Sequence, residues 1–306
     1  MEKKELLNLT ISTLSEMSKN NKYKTISADI STCIEKLQRI NFMLPILDGE
    51  NSTKTADAGC DLESPSSWFQ FKSVTEGYAI TKYIGFDAET IVLPQRHLGK
   101  PVVAIAKDAF SGCLGIKTLK VPATVKRIGD NAFKSCSNLT TVILSDGLTS
   151  IGACAFDECV KLRNINFPDS ITTIGHSSFS RTKLTSFKCP RNLRVLESGI
   201  FAVCRDLREV TLNENLKSIE SVAFEYCDKL TTIRIPKSVQ HIGRECFSGC
   251  KSLIHVYVEN PSTEMGYAVF DDVLGEAPPA LIIHCKAAST AQKYARENKI
   301  RCVSLS

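Results

Sequence analysis

The chain has 306 residues, 43% hydrophobic and 23% charged, with a formal net charge of +5. That balance excludes wholesale disorder and supplies enough apolar material for a core. The mild positive excess suits an anionic partner but is far from the strength that declares nucleic-acid binding, and no apolar run reaches the ~18 residues a membrane-spanning helix needs.

From Glu5 to Met17 the apolar Leu7, Ile11, Leu14 and Met17 fall at helical spacing, and Ile30, Ile34, Leu37 and Leu44 repeat it before Pro45. Residues 1–47 are therefore read as an N-terminal helical segment. Its opening, MEKKELLNLTISTLSEMSKN, is too polar at Asn8, Thr10, Ser12, Thr13 and Ser15 for a secretory leader, so no signal peptide is expected in these residues. Residues 48–67 have the Gly- and Ser-bearing composition of a flexible linker and contain Cys60 with no partner in sight. Residues 68–306 are read as one repeat domain with caps. It opens on strands in WFQFKSV, YAITKYIGF, ETIVLP and GKPVVAIA, a larger apolar load than one repeat carries, because the first unit of a stack has no neighbour to cover its open edge.

The repeat itself is announced by phenylalanine. Phe110, Phe133, Phe156, Phe179, Phe201, Phe224, Phe247 and Phe270 follow one another at steps of 23 residues, with a single step of 22 after Phe179. Three residues after the Phe stand Cys113, Cys136, Cys159, Cys204, Cys227 and Cys250, with Thr182 as the exception. Leu119/Val121, Val142/Leu144, Ile165/Phe167, Phe187/Cys189, Val210/Leu212, Ile233/Ile235 and Val256/Val258 add an alternating apolar pair. A period in the twenties signals a solenoid. About eight such units are expected, each giving a short parallel strand with two inward side chains, followed by one or two helical turns along Ala-Phe-x-x-Cys, with Asp130 or Asn131 as N-cap. The Ile-Gly pairs at Ile128, Ile151, Ile174 and Ile242 are expected to turn at positive φ, and Pro122, Pro168, Pro190 and Pro236 to end ladder pairing. After the last unit, PPALIIHCKAASTAQKYARENKIRCVSLS reads as a closing cap of strand, helix from about Ser289 to Glu297, and strand. The fold class is thus an α/β-type solenoid of short parallel strands and short helical turns, strand-rich at its N-terminal cap, strand-helix-strand at its C-terminal cap, and preceded by a small helical segment.

The 13 cysteines are odd in number and contain no C-x-x-C pair, which argues against a disulfide framework. Six equivalent thiols in an apolar stack are read as packing, since a nucleophile needs one thiol with a base and a depressed pKa. His97, His176, His241, His255 and His284 show no ligand spacing, and Cys154 with Cys159 and Cys246 with Cys250 each include one column thiol, so neither a metal nor a cofactor is expected. No paired carboxylates, nucleophile elbow or phosphate loop points to an enzyme.

The unit I-x-x-I-G-x-x-A-F-x-x-C-x-x-L-x-x-V-x-L-P, carried from about Tyr78 to Ser306, closely resembles the BspA-like class of leucine-rich repeats. The segments ETIVLPQRHLGKPVVAIAKDAFSGC and AASTAQKYARENKI are similar to that family's first repeat and its closing segment. The resemblance implies a non-enzymatic module for adhesion, host interaction and protein–protein contacts, and with it a cell-surface or secreted location, whereas the expected absence of a signal peptide points to the cytoplasm.

A stack of parallel strands presents its outward residues on one concave surface. Two columns meet there: Lys120, Ile143, Asn166, Lys188, Thr211, Arg234 and Tyr257, and one step earlier Thr118, Thr141, Asn164, Ser186, Glu209, Thr232 and His255, with Lys117, Arg163 and Arg208 at the rim. Lys120, Arg163, Lys188, Arg208, Glu209, Arg234, His255 and Tyr257 are the expected binding residues. Their cations suit another protein or an anionic macromolecule, while the lack of a Trp or Phe platform argues against nucleobase stacking. The alternative is a structural subunit that oligomerises through its N-terminal helices.

Overall fold

The computed structural model describes residues 63–85, 88–271 and 275–305, together with Thr10, Ser12, Thr13 and Ser15, which are helical. The rest of the expected N-terminal helical segment, most of the expected linker, and Cys33 and Cys60 lie outside the described residues. The chain divides into two compact units, Met1–Asp61 with Ile84–Phe86, and Leu62–Tyr83 with Asp87–Ser306.

The second unit is a β-solenoid of about 10 turns. Each coil lays down two strands. The longer ones, among them Thr118–Val121, Thr141–Leu144, Ser186–Lys188, Glu209–Thr211, Thr232–Ile235 and His255–Val258, pair in parallel along one side. Their register matches the sequence columns: Leu119 lies beside Val142 and Lys120 beside Ile143. Two-residue strands such as Arg127–Ile128, Ser150–Ile151 and Thr173–Ile174 form a second parallel sheet. The inward residues of both sheets enclose a single core with the phenylalanine column.

That column is a stack of rings. From Phe110 to Phe270 each ring lies 4.7–5.9 Å from the next, with planes within 23° of parallel. Tyr83 extends the stack at one end and the edge of Tyr294 meets Phe270 at the other. The caps thereby cover the two ring faces that the repeats leave bare.

From Cys136 onward the column cysteine is buried and points its thiol at the neighbouring coil, where Cys136 Sγ donates to the Phe110 carbonyl at 3.1 Å and Cys159 Sγ to that of Phe133 at 3.1 Å. Cys204, Cys227 and Cys250 repeat the bond onto Phe179, Phe201 and Phe224. A small apolar residue that still donates weakly fits this address. Thr182 departs from this pattern: its hydroxyl donates within its own coil, to the Phe179 carbonyl at 2.9 Å, and lies 3.3 Å from Cys204 Sγ of the next coil. The Cys136 thiol is held well above its usual range by its bond with Cys159 and by burial, and burial pushes Cys204 up to about 11. These thiols resist ionisation.

The turn side departs from the expected helical turns. Asn131, Cys154, Ser177, Val222 and Glu245 recur at φ of 52–53°, and Ser135, Glu158, Arg181, Val203 and Tyr226 at 53–61°. Helical backbone would commit its N–H groups to its own coil. Here the alternation of left- and right-handed residues turns every second N–H toward the next coil, so that Asn131, Phe133 and Ser135 donate to the carbonyls of Ala153, Ala155 and Asp157 at 2.8–2.9 Å. The turn side is a third hydrogen-bonded ladder, and its bonds offset the left-handed penalty of roughly 1–2 kcal/mol per residue. Asn131 sits in this ladder and is not a helix cap.

The Ile-Gly column also needs a different reason. Gly129, Gly152, Gly175 and Gly243 are not at positive φ; a Cβ on any of them would fall within 2.3–2.6 Å of a backbone nitrogen of the preceding coil. Close approach of backbones, not turning freedom, selects glycine there. Glu197 and Glu220 stand in the same column in the two coils between Gly175 and Gly243, so the tight contact belongs to particular coils. The prolines act as expected, Pro122, Pro168, Pro190 and Pro236 each accepting a bond at 3.1 Å from the residue three further on to close the turn after the strand.

The missing residue of the 22-residue step falls between Thr182 and Leu184. Both sheets are interrupted at this coil: Asn164–Ile165 does not pair with Ser186–Lys188, nor Thr173–Ile174 with Val195–Leu196. A second interruption, between Glu209–Thr211 and Thr232–Ile235, has no change of repeat length behind it. The C-terminal cap contains the strand Ile282–Cys285, the helix Thr290–Glu297 and the strand Arg301–Ser304. Ser289 caps the helix by accepting from the Gln292 N–H at 3.1 Å.

Candidate functional site

The outward columns of the longer strands come together as the sequence expects, but their charges differ in availability. Arg163, Lys188 and Arg208 are exposed, and among the described residues no acid lies within ion-pair distance of them. Lys188 stands beside Thr211, and Glu209, also exposed, beside Ser186. Asp206, one coil below Lys229, is held under its ordinary carboxylate range chiefly by its bond to Lys229, with Lys183 and Arg163 adding to the effect. Lys183 and Arg163 thus lie near enough to Asp206 to favour its charged form.

Elsewhere the expected cations are engaged. Lys117 meets Glu89 at 2.5 Å, and Lys120 is half-buried with a partner of its own. Arg234 is bound to Glu259 at 2.8 Å and its guanidinium lies 4.4 Å from the centre of the Tyr257 ring. This exposed pair contributes little stability, but it fixes the direction of the side chain.

Tyr257 is covered on its other side by His284, 4.3 Å away and within 12° of parallel. His284 in turn places Nε2 3.1 Å from Nδ1 of His255. The sequence columns bring Arg234 and Tyr257 together but miss His284, because Tyr257 and His284 are 27 residues apart and the 23-residue count falls short of it. Register reveals the link: Arg234 pairs with Tyr257, and Tyr257 with His284. Matching the apolar alternation of LIHVYV at 253–258 with LIIHC at 281–285 would have exposed it.

A groove of about 650 Å³ runs over the two-residue strands, lined by Ala106, Gly129, Gly152 and Gly175 with Arg127 and His176. Among the described residues no group of three or more His, Cys, Asp or Glu side chains could hold a metal, and no helix is long and apolar enough to cross a membrane.

Comparison with known proteins agrees with this architecture. The model of the BspA type leucine-rich repeat region matches six copies over residues 103–207 and 173–275, more than half of the chain. A leucine-rich repeat protein of T. pallidum is 34% identical, with a TM-score of 0.59 over 63% of this chain and 91% of that one. A leucine-rich cell surface protein of Faecalibacterium prausnitzii shares the fold at 24% identity and a TM-score of 0.59, over 76% and 73% of the two chains. One from Bacteroides ovatus does so at 22% identity and 0.52, over 75% and 71%. No curated protein matches the chain. The chain belongs to the BspA-type leucine-rich repeat family, a class of repeat scaffolds suited to protein interaction.

Proposed function

We propose that the solenoid is a non-enzymatic interaction module that binds an acidic-surfaced protein or similar anionic macromolecule through the outward face of its longer strands, which we take to be the concave one. One observation carries the reading: Arg163, Lys188 and Arg208 come from successive coils, are exposed, and have no ion-pair partner among the described residues. Cations left unpaired on one surface add their potentials and steer an oppositely charged partner. Arg234, His255 and Tyr257 form the margin of that surface, and Lys120 and Glu209 complete it. The cell-surface designation of the F. prausnitzii relative supports adhesion or host contact as the setting.

The test uses a fluorescent poly-glutamate peptide as acidic probe. The triple reversal Arg163→Glu, Lys188→Glu, Arg208→Glu is expected to abolish saturable binding while leaving the melting temperature unchanged, because none of the three side chains is packed in the core. Binding by the triple variant equal to that of the wild type would overturn the reading.

A further inference from the structure

We infer that His255 and His284 form a two-histidine site for a divalent transition ion of the Ni²⁺, Cu²⁺ and Zn²⁺ class. The two rings project from neighbouring strands, His255–Val258 and Ile282–Cys285, and set Nδ1 of one 3.1 Å from Nε2 of the other. Two imidazole nitrogens each bound to one ion at ~2.0–2.1 Å stand about 3 Å apart in tetrahedral or square-planar geometry, so the pair already has the spacing of adjacent ligands. Imidazole selects borderline ions over Mg²⁺ or Ca²⁺, which prefer oxygen.

The rings are held by a relay rather than left to rotate. Glu259 fixes Arg234 at 2.8 Å, Arg234 lies over Tyr257, and Tyr257 stacks on His284. Such outer contacts orient ligating imidazoles. Arg234 opposes a second cation, and its ion pair with Glu259 offsets that charge. Partial desolvation, with His255 and Arg234 nearby, lowers the pKa of His284 and keeps it in the neutral, ligating form near neutral pH. Coordination through these two atoms needs both rings neutral with their protons on His255 Nε2 and His284 Nδ1. The present hydrogen bond requires a proton on one of the facing nitrogens, so binding exchanges one tautomer without net proton loss. Two protein ligands leave the remaining positions to water, which makes the site open and exchangeable. The site is independent of the acidic-partner reading.

Titration of the full-length, untagged chain with NiCl₂ by calorimetry tests it directly. The wild type is expected to bind one ion saturably, and His255→Ala and His284→Ala each to lose that binding. His241→Ala, on the strand His241–Ile242 of the other sheet, should retain it. Glu259→Gln, which loosens only the relay, should weaken binding about tenfold. Should His284→Ala melt early, His284→Gln replaces it. Absence of saturable Ni²⁺ binding in the wild type, or its survival in both histidine variants, would overturn the inference.

Discussion

The ring-and-thiol stack and the outward face of the longer strands are built by the same coils on opposite terms. In the stack every coil contributes the same residue: eight phenylalanines are fully buried, and five column cysteines bond the same carbonyl. In the central outward column no two adjacent coils agree, as Lys120, Ile143, Asn166, Lys188, Thr211, Arg234 and Tyr257 follow one another. A buried position must fit its neighbour above and below, so packing repeats one solution; an exposed position touches solvent and is free to be set by a partner. Identity is conferred by the interior and individuality by the face.

The largest expected break in that contrast is Phe156→Ala, which opens a cavity between two stacked rings. It should cost about 3–5 kcal/mol in a denaturant titration, whereas Ile143→Ala on the outward face should cost under about 0.5 kcal/mol. A loss below roughly 1 kcal/mol at Phe156 would show that the stack does not carry the fold there. Next in size is Gly152→Ala, whose Cβ would meet the Asp130 nitrogen at 2.5 Å. A penalty of about 1–3 kcal/mol is expected from forcing the coils apart. No penalty would mean that the coils yield as readily as they do around Glu197 and Glu220.

Thiol labelling sharpens the contrast without altering the chain. Cys136, Cys159 and Cys227 are fully buried, while Cys113, Cys154 and Cys302 are partly exposed. In native protein the second group should react with a thiol reagent, and the first only on unfolding. Rapid labelling of any member of the first group would contradict the packing role. The smallest effect concerns pH. The folded pKa of His284 is depressed from 6.5, so the unfolded chain takes up the proton first as pH falls. Stability should decline modestly from about pH 6.5 down to that lowered value and level off below it. His284→Asn should flatten the decline in melting temperature; an unchanged slope would assign it elsewhere.

How much was legible in the sequence follows the same division. Repetition made the phenylalanine and cysteine columns and the inward apolar pairs readable, and its break marked the C-terminal cap, whose helix, read from about Ser289, begins at Thr290 with Ser289 as its cap. The turn side was misread because side-chain periodicity does not report backbone handedness: Val203 and Val222 adopt left-handed φ that their branched side chains disfavour. The glycines were misread because their constraint is a backbone nitrogen 22 residues away, which no local rule contains. On the outward face the columns located the candidate residues but not their pairing, since Glu259 and His284 reach Arg234 and Tyr257 from outside the columns.

The most direct test of the central claim, that unpaired cations on this face recruit an acidic partner, is the salt dependence of poly-glutamate binding to the wild type. Affinity is predicted to fall steadily as ionic strength rises through ~0.15 M, where the screening length is about 8 Å. Affinity that holds constant across that range would contradict the account and mark these cations as merely solubilising.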